Sequence, residues 1–258
     1  MDLSAFDDRL LASFVLGSPD YDAQLFAIRG LLRLHRQADE ALSNEIKAIE
    51  AFAAQASGDA NEQAVDEWVD RLHQFVFQDA AHSMSAVGML APFVESLFKQ
   101  AFPGLRNLLD RNGRLAVAQV RCKMPKSKRW NCEYASPNRR HLVDGIIELA
   151  EATGLAAHLP SDLHQTLAAL FAYRNKMFHH GFEWPDSDRS AFEHKIASAG
   201  WPPNWFSQAT SDGRPWVFCI SDTFVQHCLT AIDHVFAALG AFVRRNDRGL
   251  GPGFPPAP

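Results

Sequence analysis

Apolar residues recur at spacings of three and four along most of this chain, the period of a helix that buries one stripe. Over about 20–56, Leu25, Ile28, Leu32, Leu42, Ile46, Ile49 and Ala53 keep that alternation, predicting a long helix packed nearly parallel to others. His35 and Asp39 fall on the same seam and read as a polar layer within it. A second helix is expected over about 61–79 (Val65, Trp68, Val69, Leu72, Phe75, Val76) and a third over about 82–101 (Val87, Leu90, Val94, Leu97, Phe98, Ala101). Pro92 should kink or split the third and Pro103-Gly104 should end it, with a short helix at 105–109. Over about 111–138 the period fails, and Pro125, Pro137 and a cluster of Lys and Arg read as an excursion from the bundle. Order returns with Leu142, Ile146 and Leu149, and Pro160-Ser161-Asp162 starts another helix to about 179.

Residues 182–220 hold four of the six tryptophans with Pro185, Pro202, Pro203 and Pro215. There Ser211-Asp212-Gly213-Arg214 predicts a turn before the apolar run 216–220, hence a small hairpin. Ser221-Asp222 can cap a last helix over 222–245, with Val225, Cys228, Leu229, Ile232, Val235, Phe236, Leu239, Phe242 and Val243 as its stripe. The fold expected is all-α: an up-and-down helical bundle over 1–248, a basic excursion at 121–140, an irregular Trp/Pro-rich insert at 182–220, and a disordered Gly/Pro tail at 249–258.

Composition adds little to that outline. With 47% hydrophobic and 21% charged residues, 258 positions can bury a substantial core. A net charge of −5 argues against coating nucleic acid through overall charge, which leaves local basic faces to inspect. The acidic start lacks the layout of a secretory leader, and Cys122, Cys132, Cys219 and Cys228 read as reduced thiols, so a cytoplasmic location is expected. Cys122, Cys132 and His141 are separated by nine and eight residues, outside close-paired zinc spacing, so neither metal nor cofactor is expected. No Walker loop, dinucleotide fingerprint or serine elbow is present.

Two features carry chemistry. The stripe Leu163, Leu167, Leu170, Phe171 runs onto Arg174 and then Met177 and Phe178, placing a guanidinium where an apolar residue belongs. A buried guanidinium demands an anionic or carbonyl partner. Asp39, Glu95 or an incoming phosphate would serve. Directly after it come Asn175, His179, His180 and Gly181, the last suited to stop a helix. Helical geometry turns His179 about 140° and His180 about 240° from Arg174, so joint use needs local unwinding or a second protomer. The other feature is residues 121–140, where Arg121, Lys123, Lys126, Lys128, Arg129, Arg139 and Arg140 face Glu133 alone, with Trp130 and Tyr134 interleaved. Phosphate attraction with base stacking would use that composition.

Arg174-Asn175, three residues, His179, then His180-Gly181 resembles the motif of the HEPN superfamily: an arginine, a polar residue and a histidine after four to six intervening positions, near a helix end in an all-α bundle. The resemblance implies a metal-independent endoribonuclease, toxin- or defence-like, whose two protomers join their arginine–histidine motifs in a homodimer. It makes Arg174 the phosphate clamp, His179 the base, His180 the acid or alternative base, and Asn175 an orienting or phosphate-binding group. Arg121, Lys123, Lys126, Lys128, Arg129, Trp130, Arg139 and Arg140 become candidate RNA contacts, and a nucleotidyltransferase antitoxin becomes a candidate partner. The tyrosine that such antitoxins modify, two places after the histidine, is replaced here by Gly181 or Phe182. Other superfamily members are non-catalytic interaction or nucleotide-binding modules.

Overall fold

A computed structural model describes residues 6–211 and 213–246; Asp212 and the tail expected at 249–258 lie outside the described residues. In chain order the helices are α1 (Asp8–Leu16), α2 (Tyr21–Ala53), α3 (Asp59–Arg111), α4 (Leu115–Arg121), α5 (Leu142–Thr153), α6 (Leu163–His180), α7 (Asp186–Ser198) and α8 (Asp222–Asn246). Strands β1 (Tyr134–Ala135) and β2 (Arg139–Arg140) pair antiparallel, as do β3 (Phe206–Ser211) and β4 (Arg214–Ile220). The protein is all-α, with a small hairpin before its last helix.

Helices α2, α6 and α8 follow the periodicity, whereas α3 departs from it. It runs unbroken for 53 residues through both Pro92 and Pro103. Each proline sits on the exposed side of α3, while Leu90, Ala91, Val94, Leu97, Phe98, Ala101, Phe102 and Leu105 form a continuous buried stripe opposite. A proline there loses one helical hydrogen bond on the side where water can replace it, and burial on the other side holds the helix together. Two further helices occupy regions read as irregular. Helix α4 lies in the stretch over 111–138 where the period fails and ends at Arg121, the first residue of the basic excursion, and α7 occupies the Trp/Pro-rich insert with Asp186 and Asp188 in its first turn, where acidic side chains favour a helix. Helix α7 buries Phe192 alone, so it has almost no stripe to announce it.

The periodicity reads one helical domain over 1–248, but contacts group the described residues into two compact units, each assembled from segments far apart in sequence. The first comprises residues 6–21, 91–170 and 227–246. Within it α1, capped by the Asp7 carboxylate on the Leu10 N–H at 2.7 Å, lies against glycines of two helices. A methyl group on Gly104 of α3 would collide with the Val15 backbone, and one on Gly240 of α8 with the Asp8 backbone. Gly104 is therefore a point of close backbone approach rather than a helix stop. Tyr21 closes this unit, donating to the Ser96 carbonyl at 3.0 Å with its ring edge-on to Phe93.

The second unit comprises residues 22–90, 171–211 and 213–226. Arg71 of α3 meets Glu45 of α2 at 3.0 Å, and Ile46, Ala53 and Ala64 are buried along these helices. Val65 and Val69, expected on the stripe, are 39% and 40% exposed. Phe192 of α7 sits at the centre of an aromatic cluster with Tyr173, Trp184, Trp201, Phe206 and Phe218, which fixes α7 and the β3–β4 hairpin to the end of α6.

Close backbone approach gives a direct test. Gly104→Ala or Gly240→Ala should each cost about 1–3 kcal/mol by overpacking in a chemical denaturation curve. Gly30→Ala, in α2 with open space around it, should instead add roughly 0.5–1 kcal/mol.

Candidate functional site

The rotation of α6 decides what its last two turns display. Leu163, Leu167, Leu170, Tyr173 and Met177 are buried, so the stripe passes through Tyr173. Arg174, one residue on and about 100° around the helix, is half-buried at the stripe's edge rather than at its centre. The Tyr173 hydroxyl fixes that rotation by donating to the Phe218 carbonyl of β4 at 2.8 Å.

Arg174 has no carboxylate partner among the described residues. Its Nη1 donates to Asn175 Oδ1 at 3.1 Å, its guanidinium lies 5.3 Å from the centre of the Phe178 ring, and its Nε is enclosed without an acceptor. The candidate carboxylates are engaged elsewhere: Asp39 with His82 and Gln78, Glu95 with Lys99. Phe178 is 52% exposed, and its ring edge stands 3.3 Å from the point a Cβ on Gly88 would occupy.

The two histidines differ in their surroundings. Helix α6 remains regular through His180, and the Gly181 N–H closes it on the Met177 carbonyl at 2.9 Å with Gly181 at φ 73°. With no local unwinding, Arg174 and His179 stay on different faces of a regular helix. His180 Nε2 lies 3.7 Å from Asp188 Oδ1 of α7, and Asp188 also pairs with Lys176. The Lys176 ammonium holds the Asp188 carboxyl below its ordinary range. His179 is exposed, and its ring lies 6.5 Å between centres from that of His180. Lys176 and Asp188 escape a sequence reading because their pairing crosses a turn and two helices; the acidic start of α7 was the one local signal.

In the same unit, α2 and α3 hold the polar layer that His35 and Asp39 announced. The His35 and His82 rings stack at 4.3 Å and 6°, and Asp39 Oδ1 receives both His82 Nδ1 at 2.7 Å and Gln78 Nε2 at 3.1 Å. His35 Nδ1 is enclosed without a partner. Burial and the neighbouring His82 lower the His35 pKa, while Asp39 opposes them. Asp79 is pushed up to about 6, chiefly by burial and then by the negative charges of Asp39 and Asp222. His82 and Asp79 recur one turn apart on α3, but nothing local pairs them with positions forty or more residues earlier.

The basic excursion belongs to the first unit and is partly neutralised there. Arg139 pairs with Asp144, Arg140 approaches Glu133 at 3.8 Å, and Lys99 reaches Glu133 at 2.8 Å. Lys128 stands 4.2 Å over the Tyr134 ring, and Arg129 and Trp130 are half-buried. Arg121, Lys123 and Lys126 are exposed with no carboxylate partner among the described residues. Of the eight candidate RNA contacts, Lys128, Arg139 and Arg140 are engaged by neighbouring side chains and Arg121, Lys123 and Lys126 are exposed, while Arg129, half-buried like Trp130, has its Nε enclosed without an acceptor. Cys122 and Cys132 are buried, and burial pushes the Cys132 thiol up to about 12. Among the described residues no group of three or more His, Cys, Asp or Glu side chains is arranged to hold a metal ion, and no helix is long and apolar enough to cross a membrane.

No protein-family model matches this chain, and neither a curated protein nor a solved structure matches it.

Asp79 supplies a pH test. Its pKa in the fold lies above the ordinary value, so its contribution to stability is complete below about pH 4 and is lost as pH rises through about 6. Asp79→Asn should therefore raise the melting temperature at pH 8, with the gain vanishing by pH 4.

Proposed function

We propose that the end of α6 is the catalytic centre of a metal-independent endoribonuclease of the HEPN kind, acting on RNA as a homodimer. The observation that carries this reading is the state of Arg174: a half-buried cation whose single side-chain hydrogen bond goes to a neutral carboxamide, on the same two turns as an exposed imidazole. A structural arginine at such a place is expected to be neutralised by a carboxylate of its own chain. One left uncompensated beside an open surface suits an incoming phosphodiester.

The chemistry follows from the residue types. The ribose 2′-hydroxyl attacks the adjacent phosphorus and passes its proton to the His179 imidazole. The P–O5′ bond breaks, leaving a 2′,3′-cyclic phosphate, and the departing 5′-oxygen takes a proton from a second imidazole. Arg174 stabilises the charge that builds on the equatorial oxygens, with Asn175 holding the guanidinium plane. Because α6 stays helical through His180 and turns His179 away from Arg174, the site is completed by a second protomer supplying its own α6. His180, with its Nε2 3.7 Å from the Asp188 carboxylate, is the better placed of the pair to act as the acid. A toxin or defence role and a nucleotidyltransferase partner belong to the same proposal through the motif alone.

Purified protein should cleave single-stranded RNA in EDTA, yielding 2′,3′-cyclic ends. Arg174→Ala and His179→Ala should each slow cleavage by about two orders of magnitude or more, with melting temperatures close to that of the parent chain. Equal cleavage by both variants removes the reading. No cleavage by the parent, with Arg174→Ala unfolded, favours a non-catalytic interaction module in which the arginine is structural.

A further inference from the structure

In the second unit, Asn61 donates to the Ala53 carbonyl at 2.7 Å, Arg71 meets Glu45 at 3.0 Å and His82 meets Asp39 at 2.7 Å, pairings that hold α2 and the first half of α3 antiparallel. Toward the turn that joins them the two helices bury little. Ile46, Ala53 and Ala64 are enclosed, whereas Phe52 is 60% exposed. A groove of about 510 Å³ runs between the helices there, floored by Ile49 and Phe52 of α2 and by Ala60 and Ala64 of α3, with Glu45 and Glu67 at the end away from the turn. Its residues recur at i, i+3, i+4 and i+7 on each helix, so it is two helical turns long, about 10 Å, the shape that seats a third helix. The charge around it is of one sign. Residues 40–70 hold eight Asp and Glu against Lys47 alone, and Glu62, Asp66, Glu67 and Asp70 are exposed with no cationic partner among the described residues.

We infer that this groove receives α4, with the basic residues that follow it, from a second copy of the chain. Helix α4 has the complementary properties. It is seven residues long, which is again about 10 Å. Val117 and Val120 stand one turn apart on it, 54% and 87% exposed, and Arg121, one turn on from Val117, shares their face. Adjacent apolar side chains left this open in a helix so short are a surface awaiting a cover. Arg121, Lys123 and Lys126 supply the opposite charge, being exposed and without a carboxylate of their own among the described residues. Seated in the groove, the valines cover Ile49 and Phe52 while the cations meet Glu67 and Asp70. Pairing groove with groove would bring two acidic clusters together, and pairing α4 with α4 two basic ones, so the attraction runs between unlike faces of two copies. A contact of two helical turns covers less than the ~1,200 Å² of a stable interface, which makes it weak and dependent on charge. It uses neither α6 nor its motif and so stands apart from the ribonuclease reading.

The test is sedimentation equilibrium of three full chains: the parent, a chain carrying Arg121→Glu with Lys123→Glu, and a chain carrying Glu67→Lys with Asp70→Lys. All four positions are exposed, and thermal melts check that each chain folds. The parent should self-associate at or below about 1 mM, and raising the salt from about 0.05 M to about 0.5 M should weaken that association at least tenfold. Each reversed chain alone should associate at least tenfold more weakly than the parent, because like charges then face each other. An equimolar mixture of the two should regain the association, because each supplies the face the other lacks. If either reversed chain does not fold, Val120→Asp, at a side chain standing almost wholly in water, is read in its place and should weaken the parent's association at least tenfold. A parent that stays monomeric at about 1 mM, association unchanged in both reversed chains as a pairing through α6 alone gives, or a mixture no stronger than its components overturns the proposal.

Discussion

A single buried hydrogen bond sets what the candidate site can be. The Tyr173 hydroxyl has to find an acceptor, because an unpaired phenol in a ring of Trp184, Phe192 and Phe206 would be costly, and the Phe218 carbonyl of β4 is where it finds one. That bond fixes the azimuth of α6. With Tyr173 inward, Arg174 falls at the boundary between protein and solvent, Met177 follows inward, and Phe178 and the histidines face out. The same cluster explains why a hairpin and a helix follow α6: β4 supplies the acceptor, and α7 supplies Phe192 to close the rings and Asp188 to meet Lys176 and His180.

Electrostatically, the two units follow different logic. In the second, polar groups are stacked inside a helical seam, so their protonation is linked to burial: the raised Asp79 and lowered His35 both favour their neutral forms. In the first, charges lie at the surface in mixed-sign sets, where Glu133 and Asp144 take up part of the basic excursion and leave Arg121, Lys123 and Lys126 uncompensated. Exposed pairs of this kind add little stability, so which cations are left free matters more than how many pairs form.

Much of the fold was legible because helices announce themselves locally. The bounds of α2, α6 and α8 follow from periodicity and caps, and the β3–β4 hairpin from its turn residues. What failed did so for identifiable reasons. Pro92 and Pro103 read as breaks because a sequence does not say which side of a helix faces water. Helices α4 and α7 carry one buried residue each and so lack a stripe, and the two-residue strands β1 and β2 are too short to alternate. At the candidate site, Arg174 and the histidines stand out in the sequence by type and spacing. Asp188, His82 and Asp79 do not, since each acts through a partner on another element. The periodicity places Arg174 on the stripe, yet Tyr173 beside it takes the buried position.

The four cysteines lend themselves to a use unrelated to catalysis. All are buried, and burial raises every one of their pKa values, so the thiolates that alkylating reagents attack are scarce in the native state. Cys122, Cys132 and Cys228 belong to one compact unit and Cys219 to the other. Their modification rates therefore clock how often each unit opens, giving the chain a built-in pair of reporters on its breathing.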